Sequence, residues 1–556
     1  MSRPEIRAVM VPCLAIVLGW ALFHPIRNAA PFLDDFVFIA LARHIDQPLA
    51  LLTQDALGAY FFRPLVMFGW WVAVALLGPE ATGQYALNSA IHALNGLLAF
   101  LLLRRHRIGG APAAIAALLF VAHPTAFAAS AWLSARFDLV ATAFGLSALI
   151  AIERYLAERS RIHAIATVAC AFACVASKEI GFALVAAMVA ALAWPPRDAR
   201  VTLRERVALA ALISAAALGM LAWRDAAVRP ASEGLFLANG VATTLLGGTL
   251  KWLSTLADFL VVRHAHRLAE GAWLACLAIM AAGLVVRAAR RNWIPQDARR
   301  CAVLGLALVA FSALAQAPVT NTGTPVPFST APLDHFPIVG SRLHYVPLTG
   351  FTLVFGALLQ WVFGAGQPRL RHAAGVGVAG VALVALLASS RAIGREWAAY
   401  TRDKSDHYVR AAVEAVRASE VQPGCLLFFL DTPAEASLFR GVADTAVKHA
   451  LAQGDPATAC FIQTEHAPWN HLLATIRGRP PSPEPLEVIR VRGAPFLPLR
   501  VANLTQFYLR IPGGTAVIDD PRARFFAYRS GRFEEVTGEV RARRREVRFY
   551  DERQPG

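Results

Sequence analysis

The sequence predicts a polytopic α-helical membrane protein carrying a C-terminal soluble α/β domain, and three observations predict it. The 556 residues are 56% hydrophobic and only 17% charged, where soluble domains carry roughly 25% charged residues. The apolar residues gather into about eleven stretches of the length that crosses a bilayer as helix. Arginines cluster at the ends of those stretches: Arg104, Arg105 and Arg107; Arg154, Arg159 and Arg161; Arg197, Arg200, Arg204 and Arg206; Arg287, Arg290 and Arg291; Arg369 and Arg371. Such clusters mark the cytoplasmic side. The net charge of +16 is therefore a topology signal, with membrane lipid headgroups as secondary partners. No nucleic-acid-binding module accompanies it, so nucleic acid is not an expected partner.

The first apolar run, 8–23, follows Arg3 and Arg7 and so starts inside. No small-residue cleavage site follows closely enough for a signal peptide, and the run reads as a span. It delivers Asp34 and Asp35 to the outer face. The run 66–77 is too short to cross, and counting it would carry the next arginine cluster outside. It reads as an interfacial helix on the outer face, with Trp70 and Trp71 at headgroup level. Spans follow at 85–103, 111–129, 138–155, 162–176, 180–194 and 207–223. The run 241–262 contains Lys251 and Asp258 and would place Arg287 outside if it crossed, so it reads as a second outer-face helix. Spans at 271–286, 301–317, 345–363 and 373–389 complete eleven. The N-terminus is then inside, the C-terminus outside, and every main arginine cluster is cytoplasmic. Residues 1–390 form the membrane core and 391–556 an extracytoplasmic domain.

Within that domain, 397–419 reads as a soluble helix. The runs 425–430 and 459–463 read as buried strands around a helix at 434–451. After the proline break at 480–483, alternation at 486–491, 507–511 and 525–528 predicts sheet. No catalytic motif is legible there. Cys13, Cys170, Cys174, Cys276 and Cys301 lie in hydrophobic stretches, where cysteine acts as a small apolar residue. Cys170 and Cys174 have helical spacing but no nearby Cys or His partners for zinc, and no metal or cofactor is expected. Cys425 and Cys460 lie outside the membrane region and can pair if their compartment is oxidising and their geometry allows it.

On this topology the unusual polar residues outside the arginine clusters fall on one face: Asp34, Asp35, Arg63, His123, Arg136, Asp138, Lys178, Glu179, Arg342 and Tyr345. Each has an ordinary reading. The acids could form a solvated turn, Arg63 could snorkel, Arg136 and Asp138 could pair on the surface, and Lys178-Glu179 could be a hairpin turn. Together they describe a membrane-level cavity with carboxylates and cations. That combination suits group transfer from a lipid phosphate. A carboxylate takes the proton of an acceptor hydroxyl, while Arg and Lys hold the phosphate and stabilise the charge that develops as it leaves.

The ordered series Asp34-Asp35; 62–65 (FRPL); 85–95 (YALNSAIHALN); 122–124 (AHP); 131–139 (AWLSARFDL); 176–181 (ASKEIG); 341–347 (SRLHYVP) resembles a known membrane core. It is that of the transmembrane and tetratricopeptide-repeat O-mannosyltransferases and their bacterial relatives, within the GT-C superfamily. The resemblance covers about residues 1–400. It implies a GT-C-like fold in a bacterial inner membrane. The activity implied is an inverting transfer of a sugar from a polyprenyl-phosphate donor to a protein or glycan hydroxyl at the outer face, with mannose as the family's association. Asp34 and Asp35 become the catalytic pair, and Arg63, Lys178 and Arg342 the donor-phosphate clamp. His123, Arg136, Asp138, Glu179 and Tyr345 support them. Two departures matter. The repeats are replaced by a different soluble domain, so acceptor identity does not carry over, and Ala135 stands where the family has glycine. The rival readings are a transporter or flippase using the same cavity, and a catalytically silent relative acting in assembly. Transporters often show internal repeats, and none is detectable here.

Overall fold

A computed structural model describes residues 3–32, 34–45, 47–54, 62–227, 267–289, 295–320, 342–363, 369–430, 443, 446–451, 455–464 and 520–542. The helices run in order α1 Arg3–Ile26, α2 Asp34–His44, α3 Pro64–Leu77, α4 Ala81–Arg105, α5 Gly110–Ala122 and α6 Phe127–Ala131. Then come α7 Arg136–Glu158, α8 Arg161–Ser177, α9 Gly181–Ala193, α10 Leu203–Ala227, α11 Arg267–Ala289 and α12 Gln296–Thr320. The last long ones are α13 Tyr345–Phe363, α14 Arg369–Thr401 and α15 His407–Ala418. The outer-face helix expected at 241–262 and the strands expected at 486–491 and 507–511 lie outside the described residues.

Contacts divide the chain into two compact units, Met1–Asn28 with Thr82–Trp397, and Ala29–Ala81 with Ala398–Gly556. The sequence places a single boundary after 390. In the structure the segment that follows α1 and carries Asp34, Asp35 and Arg63 groups with the C-terminal residues.

The first unit is a helical bundle. Each of the eleven apolar stretches read as spans is helical here. Six helices among the described residues are long and apolar enough to cross a membrane, or seven if Gly110–Ala122 and Pro124–Ala131, bent by 52°, count as one span. The protein is thus an integral membrane protein, and six or seven of the eleven expected spans are supported among the described residues. The helix that falls furthest short is α9: with 13 residues it rises about 20 Å at 1.5 Å per residue, against a core about 30 Å thick. The bend has a chemical cause. His123 precedes Pro124 and takes an extended conformation, as residues before proline do. Arg107 and Arg159, both at positive φ, follow α4 and α7. The amide of Arg159 closes the last turn of α7 on the Tyr155 carbonyl, as a left-handed cap does. Helices α12 and α13 cross closely because a Cβ on Gly305 would overlap the Gly350 carbonyl, and one on Gly350 the Gly305 carbonyl. Small residues let membrane helices approach backbone to backbone.

The second unit holds a four-stranded sheet in the order β2-β1-β3-β4, with β1 Leu426–Leu430, β2 Phe461–Thr464, β3 Ala523–Arg529 and β4 Arg532–Glu535. β1 runs parallel to β2 and β3. β3 and β4 form a hairpin whose two loop residues, Ser530 and Gly531, both have positive φ, as a type I′ turn requires. The expected strands 425–430, 459–463 and 525–528 are all present, to within two residues or so. The soluble helix begins later than expected: α14 runs on to Thr401, and a π-helical turn, Arg402–Asp406, separates it from α15. α15 lays Tyr408, Val409, Ala412, Val413 and Val416 into one core with Leu427 and Phe429 of β1 and Phe526 of β3. Cys425 and Cys460 are joined by a disulfide that ties the start of β1 to the start of β2. Phe36 of α2 belongs to this core, and Phe38 of α2 stacks on Trp70 of α3, with ring centroids 5.6 Å apart. Trp70 is therefore buried, at 1% exposure, so its indole is covered by protein and does not present a free face to lipid headgroups. Packing against α2 outweighs the interfacial preference of the indole.

The expected orientation gives a direct test. Reporter fusions after Arg105, Arg159 and Arg291 should report cytoplasm, and fusions after Asp35, Glu179 and Arg391 the outer side. A cytoplasmic signal after Arg391 would invert the C-terminal domain and defeat the arrangement.

Candidate active site

In the first unit the chemistry-bearing motifs meet at one end of the bundle through a polar stripe on α4. Gln84, Asn88 and His92 recur every four residues, with Asn95 three further on, so all share one helix face. All four are buried. A buried polar group without a partner costs several kcal/mol in hydrocarbon, and the stripe's partners are the interrupted backbone of neighbouring helices. Asn88 donates to the carbonyls of Trp132 and Leu133 at 3.3 and 3.4 Å, in the irregular segment before α7. Asn95 donates to the Leu139 carbonyl at 2.9 Å.

The proton positions around His92 follow from its partners. The Val121 carbonyl, 3.0 Å from Nε2, can only accept, so the ring proton sits on Nε2. Nδ1 then accepts from the Tyr345 hydroxyl at 2.8 Å, and the Tyr345 oxygen accepts from Asn95 Nδ2 at 3.0 Å. A neutral imidazole thus joins the end of α5 to the start of α13. The network locks Tyr345 three residues after Arg342, which opens the 3₁₀ turn Arg342–His344. The side chain of Arg342 lies outside the described residues.

Arg136 donates through Nε to Asn88 Oδ1 at 2.7 Å and through Nη2 to Gln84 Oε1 at 2.9 Å. It is buried, so its ordinary reading as a surface partner of Asp138 is wrong: it braces the segment before α7 against α4. Asp138 instead binds Lys178 Nζ at 2.6 Å, with side-chain exposures of 4% and 14%. His123 accepts the Thr125 amide on Nδ1 at 3.2 Å and caps the turn at the bend, a structural duty. Glu179 lies 3.7 Å from Arg224 at the end of α10.

In the second unit, Asp34 is the first residue of α2 and its side chain lies outside the described residues. Asp35 is fully buried. Its Oδ2 accepts the Phe32 amide at 2.9 Å, and its own amide donates to the Phe32 carbonyl at 3.0 Å. This is the backward half of a capping box, an acid satisfying an N–H ahead of a helix that has no intrahelical partner. Arg63, half-buried, precedes the Pro64 that opens α3.

The sequence carries the motif on α4 in the ordered series without assigning its residues a role. The signal was present: four-residue spacing of Gln84, Asn88 and His92 inside an apolar helix. Arg224 carried none, being one more arginine near a helix end.

The opposite end of the bundle carries the arginines. Arg300 of α12 makes two hydrogen bonds to the Glu153 carboxylate, at 2.6 and 2.7 Å, and donates to the Trp194 carbonyl at 2.6 Å. Arg107 pairs there with Asp198 and Asp297.

No family model and no curated relative matches the sequence. Among solved structures the chain is similar to ArnT from Cupriavidus metallidurans bound to undecaprenyl phosphate. Identity is 13%, the TM-score 0.44, and the match covers 82% of this chain and 89% of that one. The apo form of that protein gives 14% identity, TM-score 0.42 and coverage of 82% and 88%. An Archaeoglobus fulgidus oligosaccharyltransferase tethered to an acceptor peptide with the NVT sequon gives 13% identity and TM-score 0.43. The match covers 84% of this chain but 64% of that one. Likeness at this level assigns neither donor nor acceptor.

Proposed function

We propose that the protein is a GT-C-type inverting glycosyltransferase that moves a sugar from a polyprenyl-phosphate donor to a hydroxyl acceptor at the outer membrane face. One observation carries the reading. Residues of five of the ordered motifs, 85–95, 122–124, 131–139, 176–181 and 341–347, are gathered at the bundle end opposite the arginine clusters. A chain of buried hydrogen bonds and one ion pair holds most of them. A transporter cavity would not need that end fixed so firmly, since alternating access moves one half of the bundle against the other.

The chemistry is a single displacement. Asp34 takes the acceptor proton as the acceptor oxygen attacks the anomeric carbon. The bond from that carbon to the phosphate oxygen breaks on the opposite face, and polyprenyl phosphate leaves with the electron pair. Lys178, oriented by Asp138, and the guanidinium groups of Arg63 and Arg342 compensate the charge that grows on the phosphate. The disulfide supports an oxidising compartment for the C-terminal domain, in keeping with the outward orientation. Sugar and acceptor are best found by mass spectrometry of glycans and glycoproteins from a deletion strain beside wild type. One sugar-bearing species should vanish and return on complementation. Unchanged profiles would sink the enzyme reading.

A further inference from the structure

The segment bearing the acids is held from both sides by the C-terminal domain. Upstream, the Ala30 amide donates to Thr401 Oγ1 at 3.1 Å. Thr401 is fully buried, and its hydroxyl proton is directed to the Ala398 carbonyl at 3.4 Å, which leaves the oxygen lone pair to receive Ala30. The Phe32 ring lies against Tyr400, with centroids 6.4 Å apart. Downstream, Phe36 sits in the core built by α15, β1 and β3 and meets the His449 ring edge-on at 5.8 Å. Asp34 lies between these anchors, four residues after Ala30 and two before Phe36. Thr401 is also the last residue before the π-helical turn Arg402–Asp406, a rare form that recurs at functional sites.

We infer that the C-terminal domain is a positioning element for Asp34, with Thr401 as the positioning residue; this rests on the reading of Asp34 as the base. The soluble domain then has a task in the transfer step itself: it fixes where the carboxylate stands relative to the acceptor hydroxyl. A misplacement of about 1 Å in a catalytic group, caused by a mutation far from the chemistry, can cost about a hundredfold in rate.

The test uses the full-length protein in the deletion strain, reading by mass spectrometry the rate at which the missing sugar-bearing species reappears at matched protein amounts. Thr401→Val keeps the shape and removes the acceptor; Thr401→Ser keeps the acceptor. The valine variant should form product at least about tenfold more slowly, and the serine variant should stay within about twofold of wild type. Hydrogen exchange on the purified proteins supplies the second reading. In Thr401→Val, exchange should rise over 29–38 and stay unchanged over 425–430. Normal product formation by Thr401→Val, equal loss in both variants, or exchange that rises across the sheet as well would each overturn the inference. Asp34→Asn runs in parallel. Full activity there defeats the function assigned to Asp34, whereas a dead Asp34→Asn beside a normal Thr401→Val defeats only the positioning role.

Discussion

Asp34→Asn is expected to lose about a hundred- to ten-thousand-fold in turnover, the usual contribution of a general base. Asparagine keeps the size of the side chain and one acceptor oxygen but cannot take up the acceptor proton. The protein should remain folded, because the start of α2 is held by its neighbour: Asp35 reaches back to the Phe32 amide and Phe36 is sunk in the C-terminal core. Asp35→Asn gives the contrast. The amide oxygen can still accept from Phe32, so it should cost much less turnover than Asp34→Asn, and its effect should fall more on acceptor affinity. The measurement is the rate of product formation in the complemented deletion strain, with melting temperature as the control for folding. Near-normal turnover in Asp34→Asn would remove Asp34 from the chemistry, and harmless substitutions at both positions would return the acids to the status of a capping turn.

The two acids illustrate how far the sequence could be read. Adjacent side chains point in different directions at the start of a helix, so unequal roles are legible in the pair itself. That Asp35 is the one spent on the backbone is not, because it depends on the turn made by Phe32. Three of the arginine clusters do meet at one end of the bundle: Arg107 pairs with Asp198 and Asp297, Arg159 with Glu205, and the Arg200 amide donates to the Leu156 carbonyl. Helix lengths were less legible: hydropathy over 180–194 looks like a span, and only the break at Trp194 shows how short α9 is. Hydropathy also falls after Arg391, yet α14 continues to Thr401, because a helix need not stop where its surroundings change. The largest gap is the grouping of 29–81 with the C-terminal residues. More than three hundred residues separate Ala30 from Thr401, and no local pattern in either segment encodes that contact.

The second large effect is expected at the arginine-rich end. Glu153 and Arg300 are each 5% exposed and bind through two hydrogen bonds. His106 faces Arg300 Nη1 with Nδ1 at 3.3 Å; the guanidinium donates, so the imidazole accepts there and carries its proton on Nε2, 3.8 Å from Glu153 Oε1. Arg300→Met would leave the Glu153 carboxylate buried without its cation and would also free the Trp194 carbonyl. Breaking a buried pair by removing one partner costs about 3–5 kcal/mol. Glu153→Leu should cost a similar amount, with the guanidinium now stranded. The double variant should be far less damaging than the sum of the two, because replacing both members of a buried pair by apolar side chains is often neutral. Thermal unfolding of the four proteins in one detergent closes the double-mutant cycle. A coupling energy near zero, with the single costs simply adding, would mean that the pair does not hold α7 to α12, and that the packing of Trp194 and Ala191 around Arg300 is what keeps that end of the bundle closed.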